Sequence, residues 1–305
     1  MGPSNGCTAI PEKCAVVTGG NKGIGFVICK QLASNGIYVI LTARDEKRGT
    51  KAVASLKESG LSDVVYHQLD IKDSSSILRF TDFVTTHFKK LDILVNNAAD
   101  IGVTINGDAF REVPRGFFGI RDEDPGMLKG IMEQNNEGAE ECLKTNYYGT
   151  KAITESLLPL LQLSSSANIV NVSSLFGQLM FIPNVKVKEE LNNLESLTEE
   201  RIDRMLQGFL KDFKEGKLEA NGWPNTVSAY KLSKAALNAY TRLLARKFPN
   251  MRINASHPGY VKTDITCHTG NITAAEGAKG PVMVALFDDD GPSGQFFDEM
   301  EVSVF

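Results

Sequence analysis

Cysteine and histidine are scarce in this chain of 305 residues, and each scarcity removes a class of chemistry. The five cysteines (Cys7, Cys14, Cys29, Cys142 and Cys267) are scattered, odd in number and form no C-x-x-C pair. A disulfide framework is excluded, and free thiols in a reducing compartment are the simplest reading. Four histidines without an H-E-x-x-H helix offer no metal-ligand spacing, so no metal is expected. No apolar run reaches the ~18 residues that a membrane helix needs, so no membrane partner is expected. The first residues lack the charged-then-apolar order of a signal segment. Met1-Gly2-Pro3 with Gly6 is no acylation signal, and Ser303-Val304-Phe305 is no peroxisomal address. A cytoplasmic protein is expected. Basic residues form no block and the formal net charge is −4, which leaves nucleic-acid binding without an electrostatic footprint. A Pro/Gly/Ser-rich linker, a low-complexity segment and an internal repeat are all missing, which favours one domain over residues 1–305.

What is present is an ordinary globular composition, 42% hydrophobic and 23% charged, long enough for a large core. Residues 14–18 form a short apolar run that reads as a buried strand. Thr18-Gly19-Gly20-Asn21-Lys22-Gly23-Ile24-Gly25 follows at once, and Phe26, Ile28, Leu32 and Ala33 continue with helical spacing. Strand, glycine turn and helix together cradle phosphate: the glycines allow close approach, and the helix N-terminus offers free N–H groups. Residues 37–42, 64–69, 91–95, 168–172 and 251–256 read as further strands, with 291–297 as a last strand and its approach. Ala43-Arg44-Asp45 ends the second, where a carboxylate would bind a ribose and an Arg would accept a 2′-phosphate. Asp70 and Asp73 after the third are also candidate helix caps.

Two stretches interrupt this rhythm. Residues 100–135 carry Phe110, Phe117 and Phe118 among glycines and prolines, and read either as a lid or as an excursion whose aromatics plug a small core of its own. In residues 178–225, Ser196-x-x-Glu199 reads as a capping box. It opens an amphipathic helix with Ile202, Met205, Leu206, Phe209, Leu210 and Phe213 on one stripe. Between the stretches, residues 136–158 read as one long helix that Pro159 ends or kinks.

Tyr230-Lys231-Leu232-Ser233-Lys234 opens another apolar-periodic helix. Residues four apart share a helix face, so the Tyr230 phenol and the Lys234 ammonium can point into one cleft. A nearby cation favours the phenolate, which would make the pair a proton donor and acceptor near neutral pH. Tyr147 and Lys151 repeat the spacing, and spacing alone does not choose between them.

The series of motifs resembles the short-chain dehydrogenases/reductases over residues 13 to 300. The resemblance rests on Thr-Gly-x-x-x-Gly-x-Gly at Thr18–Gly25, Asn96-Asn97-Ala98-Ala99, Ser174 three residues before Gly177, Tyr230…Lys234, and Pro258-Gly259 with Thr263. It implies an α/β fold of Rossmann type, a doubly wound parallel sheet as a single domain with two insertions near the active site. It implies NADPH bound by Thr18, Gly19, Asn21, Lys22, Gly23, Ile24, Gly25, Asp70, Ile71, Asn97, Ala98, Tyr230, Lys234, Pro258, Gly259, Val261 and Thr263. Arg44 and Arg48 would favour the 2′-phosphate, while Asp45 keeps NAD open. Ser174 would bind a carbonyl oxygen, Tyr230 would protonate it, Lys234 would lower the Tyr230 pKa, and Asn146 would hold a relay water. Asn146 also demotes the Tyr147 copy, which shares its helix. Ala99 departs from the family's Gly and leaves the local loop geometry open. Tyr230 follows Ser174 by 56 residues, far more than in compact members, as in the carbonyl-reductase-like branch with its plant terpenoid and alkaloid reductases. An apolar ketone lined by Phe176, Leu179, Met180 and Phe181 is the expected substrate, and a monomer is expected if the second insertion covers an assembly face. A C=C reductase and a non-catalytic NADP-binding regulator are the competing readings.

Overall fold

The structure, a computed structural model, describes residues 11–119 and 125–305. Cys7, the Phe118 side chain and residues 120–124 of the first insertion lie outside the described residues. Among the described residues ten strands follow the chain: β1 (Cys14–Val17), β2 (Tyr38–Ala43), β3 (Val64–Gln68), β4 (Ile93–Asn96), β5 (Val103–Ile105), β6 (Met132–Gln134), β7 (Asn168–Val172), β8 (Arg252–His257), β9 (Phe296–Asp298) and β10 (Glu301–Ser303). Eight make one sheet in the order β10-β9-β8-β7-β4-β1-β2-β3, parallel except for β10, which runs antiparallel to β9 along the edge. The remaining pair, β5 and β6, forms a separate hairpin inside the first insertion.

The helices are α1 (Gly23–Ser34), α2 (Glu46–Glu58), α3 (Ser74–His87), α4 (Gly107–Arg111), α5 (Asn136–Leu143), α6 (Thr150–Leu161), α7 (Val185–Asn192), α8 (Glu199–Lys214), α9 (Ser228–Lys247), α10 (Ala274–Gly277) and α11 (Lys279–Ala285). They cover both faces of the sheet, which is why its strands are continuously apolar rather than alternating. Cys14 and Val16 of β1 join the core under α3, α6 and α9, while Ala15 and Val17 join the one under α1, α2 and α11. The strand order reverses between β1 and β4, so a crevice opens at their carboxyl ends, where open α/β sheets bind ligands.

The long middle helix is not uniform. A π turn, Lys144–Gly149, separates α5 from α6, the kind of irregularity that often marks a functional position. Pro159 neither ends nor starts a new helix: α6 runs past it to Leu161. The capping box expected at Ser196 is displaced. Thr198 caps α8, its hydroxyl accepting from Arg201 N at 3.3 Å, while Ser196 sits in a turn on Asn193. The α8 stripe behaves as its pattern predicts. Ile202, Met205, Leu206 and Phe209 are buried, each stabilising by roughly 1.5–3 kcal/mol of apolar burial. Trp223 closes the second insertion with an edge-on ring contact to Phe209 and an Nε1–H donated to Asp212 at 2.8 Å.

In the first insertion Phe110 and Phe117 pack as tilted rings 4.7 Å apart in a satellite core with Val113, Leu128, Met132 and Val227. The excursion does plug its own core, and Phe117 also faces the crevice. No described helix is long and apolar enough to cross a membrane.

Candidate active site

Thr18, one residue past β1, ties the sheet's central gap together. Its N–H donates to Val95 O at 3.0 Å, and its hydroxyl accepts from Asn97 N at 2.9 Å and Ala98 N at 3.0 Å. Asn97 answers with Nδ2 donated to Thr18 O at 2.9 Å. The crowding leaves no room for a side chain at Gly25, where a Cβ would lie 2.3 Å from Asn97 Nδ2. Gly19 and Gly23 take left-handed φ of 65° and 56°, which only glycine enters without strain. Ala99 has no positive φ, so its replacement of glycine costs nothing.

These residues floor a cleft of about 770 Å³ that runs from Arg44 and Asp70 past the glycine turn to Ser174 and Tyr230. A dinucleotide fits its construction. The first-turn N–H groups of α1 have no side-chain cap from Lys22 and open onto the glycine turn, as a pyrophosphate requires. The buried Thr263 hydroxyl also lacks a protein partner. Asn21, Lys22, Ile24, Ile71, Ala98, Pro258, Gly259 and Val261 all border this cleft. Lys22 is paired across its mouth with Asp264 at 2.6 Å. Arg48 does not border it and lies beside Asp45 at 3.9 Å. Asp45 caps α2 through Arg48 N at 2.9 Å, so its carboxylate is already engaged. Of the two candidate caps, Asp73 holds the start of α3, while Asp70 turns the chain by accepting from Lys72 N at 3.0 Å.

At the other end, β7 delivers Ser174 and α9 delivers Tyr230 and Lys234. Gly177 brings them together: a Cβ there would lie 2.9 Å from Lys234 backbone, so the turn after Ser174 packs directly on α9. The Ser174 hydroxyl hydrogen-bonds the Tyr230 phenol. Burial pushes Tyr230 up to about 12, and the Ser174 hydrogen bond pulls it back part of the way. Burial likewise pushes Lys234 down to about 8. Its ammonium donates to Val172 O at 2.8 Å and lies 5.6 Å from the Tyr230 ring centre. The expected depression of Tyr230 by Lys234 is therefore not found; Ser174 supplies the lowering contact.

Asn146 lies behind the cleft lining. Its Nδ2 donates to Asp100 O at 2.8 Å and Ser233 Oγ at 2.9 Å, and its Oδ1 accepts from Asp100 N at 2.7 Å. Ser233 in turn donates to Tyr230 O at 2.8 Å. His257 borders the cleft, buried and neutral, its pKa lowered to about 4 by desolvation and then by Lys234.

Above Ser174 the lining is apolar: Ile101, Val103, Phe117, Phe176 and Tyr260. Of the expected apolar group only Phe176 borders the cleft. Phe181 packs edge-on behind it at 5.3 Å, Leu179 packs into the main core, and Met180 is exposed. Tyr260 went unread in the sequence beyond its place after Pro258-Gly259. Its hydroxyl accepts from Phe117 N at 3.2 Å and meets Thr269 Oγ1, joining the two loops that roof the site.

A sequence profile described as "short chain dehydrogenase" matches residues 13–186. Salutaridine reductase of Papaver somniferum is 50% identical over 98% of this chain and 98% of its own. Its solved structure superposes with a TM-score of 0.86 over 94% of this chain and 99% of that one. The menthone neomenthol reductase of Mentha piperita is 46% identical, with a TM-score of 0.83 over 95% and 99%. Carbonyl reductase [NADPH] 1 of Mus musculus is 36% identical over 94% of this chain and 96% of its own.

Proposed function

This chain belongs to the short chain dehydrogenase family, an oxidoreductase acting on a carbonyl or its alcohol, and we propose that it uses NADPH to reduce a cyclic terpenoid or alkaloid ketone to a secondary alcohol. The observation that carries the reading is the Ser174–Tyr230 hydrogen bond at the apolar end of a cleft whose other end is a glycine cradle. When bound in that cradle, the cofactor supplies the hydride.

The chain's own groups supply the rest. Ser174 donates a hydrogen bond to the carbonyl oxygen, and Tyr230 gives its proton to that oxygen as negative charge develops there. A positioned donor and acid of this kind contribute on the order of 10²–10⁴ in rate. Lys234, held by the Val172 carbonyl, would bind the ribose hydroxyls of the nicotinamide half. Asn146 fixes Asp100 and also Ser233, whose hydroxyl bonds the Tyr230 carbonyl, and would hold a relay water there. Ile101, Val103, Phe117 and Phe176 exclude water from the reacting carbonyl and favour an apolar ring.

NADPH rather than NADH is supported by Arg44 bordering the cleft and by Asp45 being spent as a helix cap. The name of the Mus musculus relative also carries that cofactor. The buried α8 stripe, packed against α5 and α9, supports a monomer, which sedimentation would check.

The test is a panel of cyclic ketones, menthone first, with NADPH and with NADH, analysed for product and stereochemistry. Alcohol formation preferring NADPH is expected. NADPH binding with no turnover of any ketone would overturn the reading in favour of a non-catalytic binder, and saturation of a C=C bond would replace it with ene reduction.

A further inference from the structure

We propose that Gln134, on the hairpin of the first insertion, positions Tyr230 by fixing the turn that enters α9. Val227, the residue before that helix, has φ 48° and ψ 36°. A β-branched residue holds this left-handed conformation only where its surroundings impose it. Here the first insertion imposes it twice. The Val227 side chain is 1% exposed, packed among Phe110, Phe117, Leu128 and Met132. Over the turn itself lies the Gln134 carboxamide. Its Oε1 accepts from Ser228 N at 2.8 Å and Ser228 Oγ at 2.6 Å, and its Nε2 donates to Asn225 O at 2.8 Å.

The Ser228 N–H belongs to the first turn and has no carbonyl partner within its own helix. A valine at the cap position cannot satisfy it, and Gln134 does so from 94 residues upstream. The Val227 carbonyl accepts the first bond of the helix, from Lys231 N at 3.0 Å. If Val227 relaxed to negative φ, that carbonyl would turn away and the first turn would rotate with it. Tyr230 sits in that turn and also packs against the same satellite core. Its phenol must stay within hydrogen-bond reach of Ser174 and of the substrate oxygen together, a tolerance of well under ~1 Å. Gln134 does not border the cleft and touches no reacting atom, so it is a positioning residue. The inference rests on the reading of Tyr230 as proton donor.

The test uses the full chain with NADPH and menthone, or the fastest ketone of the panel. Gln134→Ala is expected to lower kcat by about 10- to 100-fold, as a small misplacement does. NADPH binding, read by fluorescence, should stay within about twofold, and the solvent deuterium isotope effect on kcat should rise as proton transfer becomes slower. Gln134→Glu keeps both acceptor contacts to Ser228 and should retain most of kcat. Val227→Gly placed on the Gln134→Ala background should recover kcat, because glycine enters the left-handed region freely. Gln134→Met preserves volume and carries the test if the alanine variant does not fold. A lowered Tm with unchanged kcat and isotope effect, or a kcat loss that neither Glu nor Gly repairs, overturns the proposal. If Tyr230→Phe turns over normally, the reading of Tyr230 itself has failed. If Tyr230→Phe is inactive while both Gln134→Ala and Gln134→Met behave as wild type, only the role of Gln134 has failed.

Discussion

Tyr147 and Lys151 stand four residues apart, as Tyr230 and Lys234 do, but the two pairs live in different surroundings. The first straddles the end of the π turn, so the regular i, i+4 face is already disturbed. Tyr147 is fully buried between Tyr148 and Tyr240, its hydroxyl has no hydrogen-bond partner among the described residues, and burial pushes its ionisation far above the phenol range. Lys151 is drawn the other way, to Glu199 at 2.8 Å and Asp203 at 3.7 Å on α8. In the second pair the phenol opens on a cleft and meets a serine, and the ammonium is held by the Val172 carbonyl. Spacing supplies a shared face, and neighbours decide whether that face does chemistry. A second insertion that adds α8 over one pair draws its lysine away, while the Ser174 turn beside the other leaves it open on the cleft.

The largest effect expected from breaking this contrast is on turnover. Tyr230→Phe should lower kcat by about 10²–10⁴-fold, the worth of a positioned acid, with NADPH binding retained. Tyr147→Phe should leave kcat unchanged. Removing an unpartnered buried hydroxyl should also leave stability unchanged or raise it by up to about 1 kcal/mol. Steady-state kinetics and thermal melts on the two variants check both, and a comparable kcat loss in Tyr147→Phe would erase the distinction.

The lysines should separate by the sign of their effect on stability. Lys234 is held well below its unfolded value of 10.5, at about 8, so its charge opposes folding below pH 8. Between about 8 and 10.5 the unfolded chain binds the additional proton, and stability from this group rises with pH. Lys234→Met should therefore raise Tm at pH 7, with a gain that shrinks as pH climbs through that window, while abolishing most turnover. For Lys151 burial acts to lower the pKa, but the Glu199 hydrogen bond and the Asp203 and Glu199 charges outweigh it and raise the pKa. Its contribution is present in full below about 10.5 and is lost only above the folded value, so at pH 7 it stabilises. Lys151→Met should cost about 2 kcal/mol, between the exposed and buried limits for an ion pair, with kcat intact. Melts of both variants at pH 7 and 10 read the two signs directly.

The glycine turn, the end of β4, the Ser174 turn and the start of α9 were legible because each is a local pattern at the end of a strand or the start of a helix. Gly25 and Thr18 could be read for the same reason: the crowding that demands them is made by neighbouring strand ends, whereas Gly177 is crowded by α9. What the sequence hid depends on distant partners. The Gln134 contacts lie 91 and 94 residues away, and no spacing rule reaches that far. The π turn was invisible because apolar spacing does not tell a single π turn from α-helix. Tyr260 looked like loop filler until its hydroxyl was found against Phe117 N, 143 residues earlier in the chain. Leu179 and Met180 read as pocket residues from hydrophobicity alone, and two short turns send one to the core and the other to solvent.

The smallest expected effect tests why Lys151 is held away from chemistry at all. Its partners, Glu199 and Asp203, are four residues apart on the first turns of α8, and their common face exists only if that end of the helix is formed. Thr198 holds it, while Ser196, the residue that the sequence pattern favoured, bonds back into the Asn193 turn. Thr198→Ala should cost about 1 kcal/mol, the usual worth of a helix cap, and Ser196→Ala about 0.5 kcal/mol or less. Combined with Lys151→Met, the Thr198→Ala penalty should shrink, because a frayed first turn no longer costs the ion pair as well. Strict additivity in that double-mutant cycle, read from thermal melts, would mean that α8 holds its place by the apolar stripe alone and that Lys151 is a bystander to it.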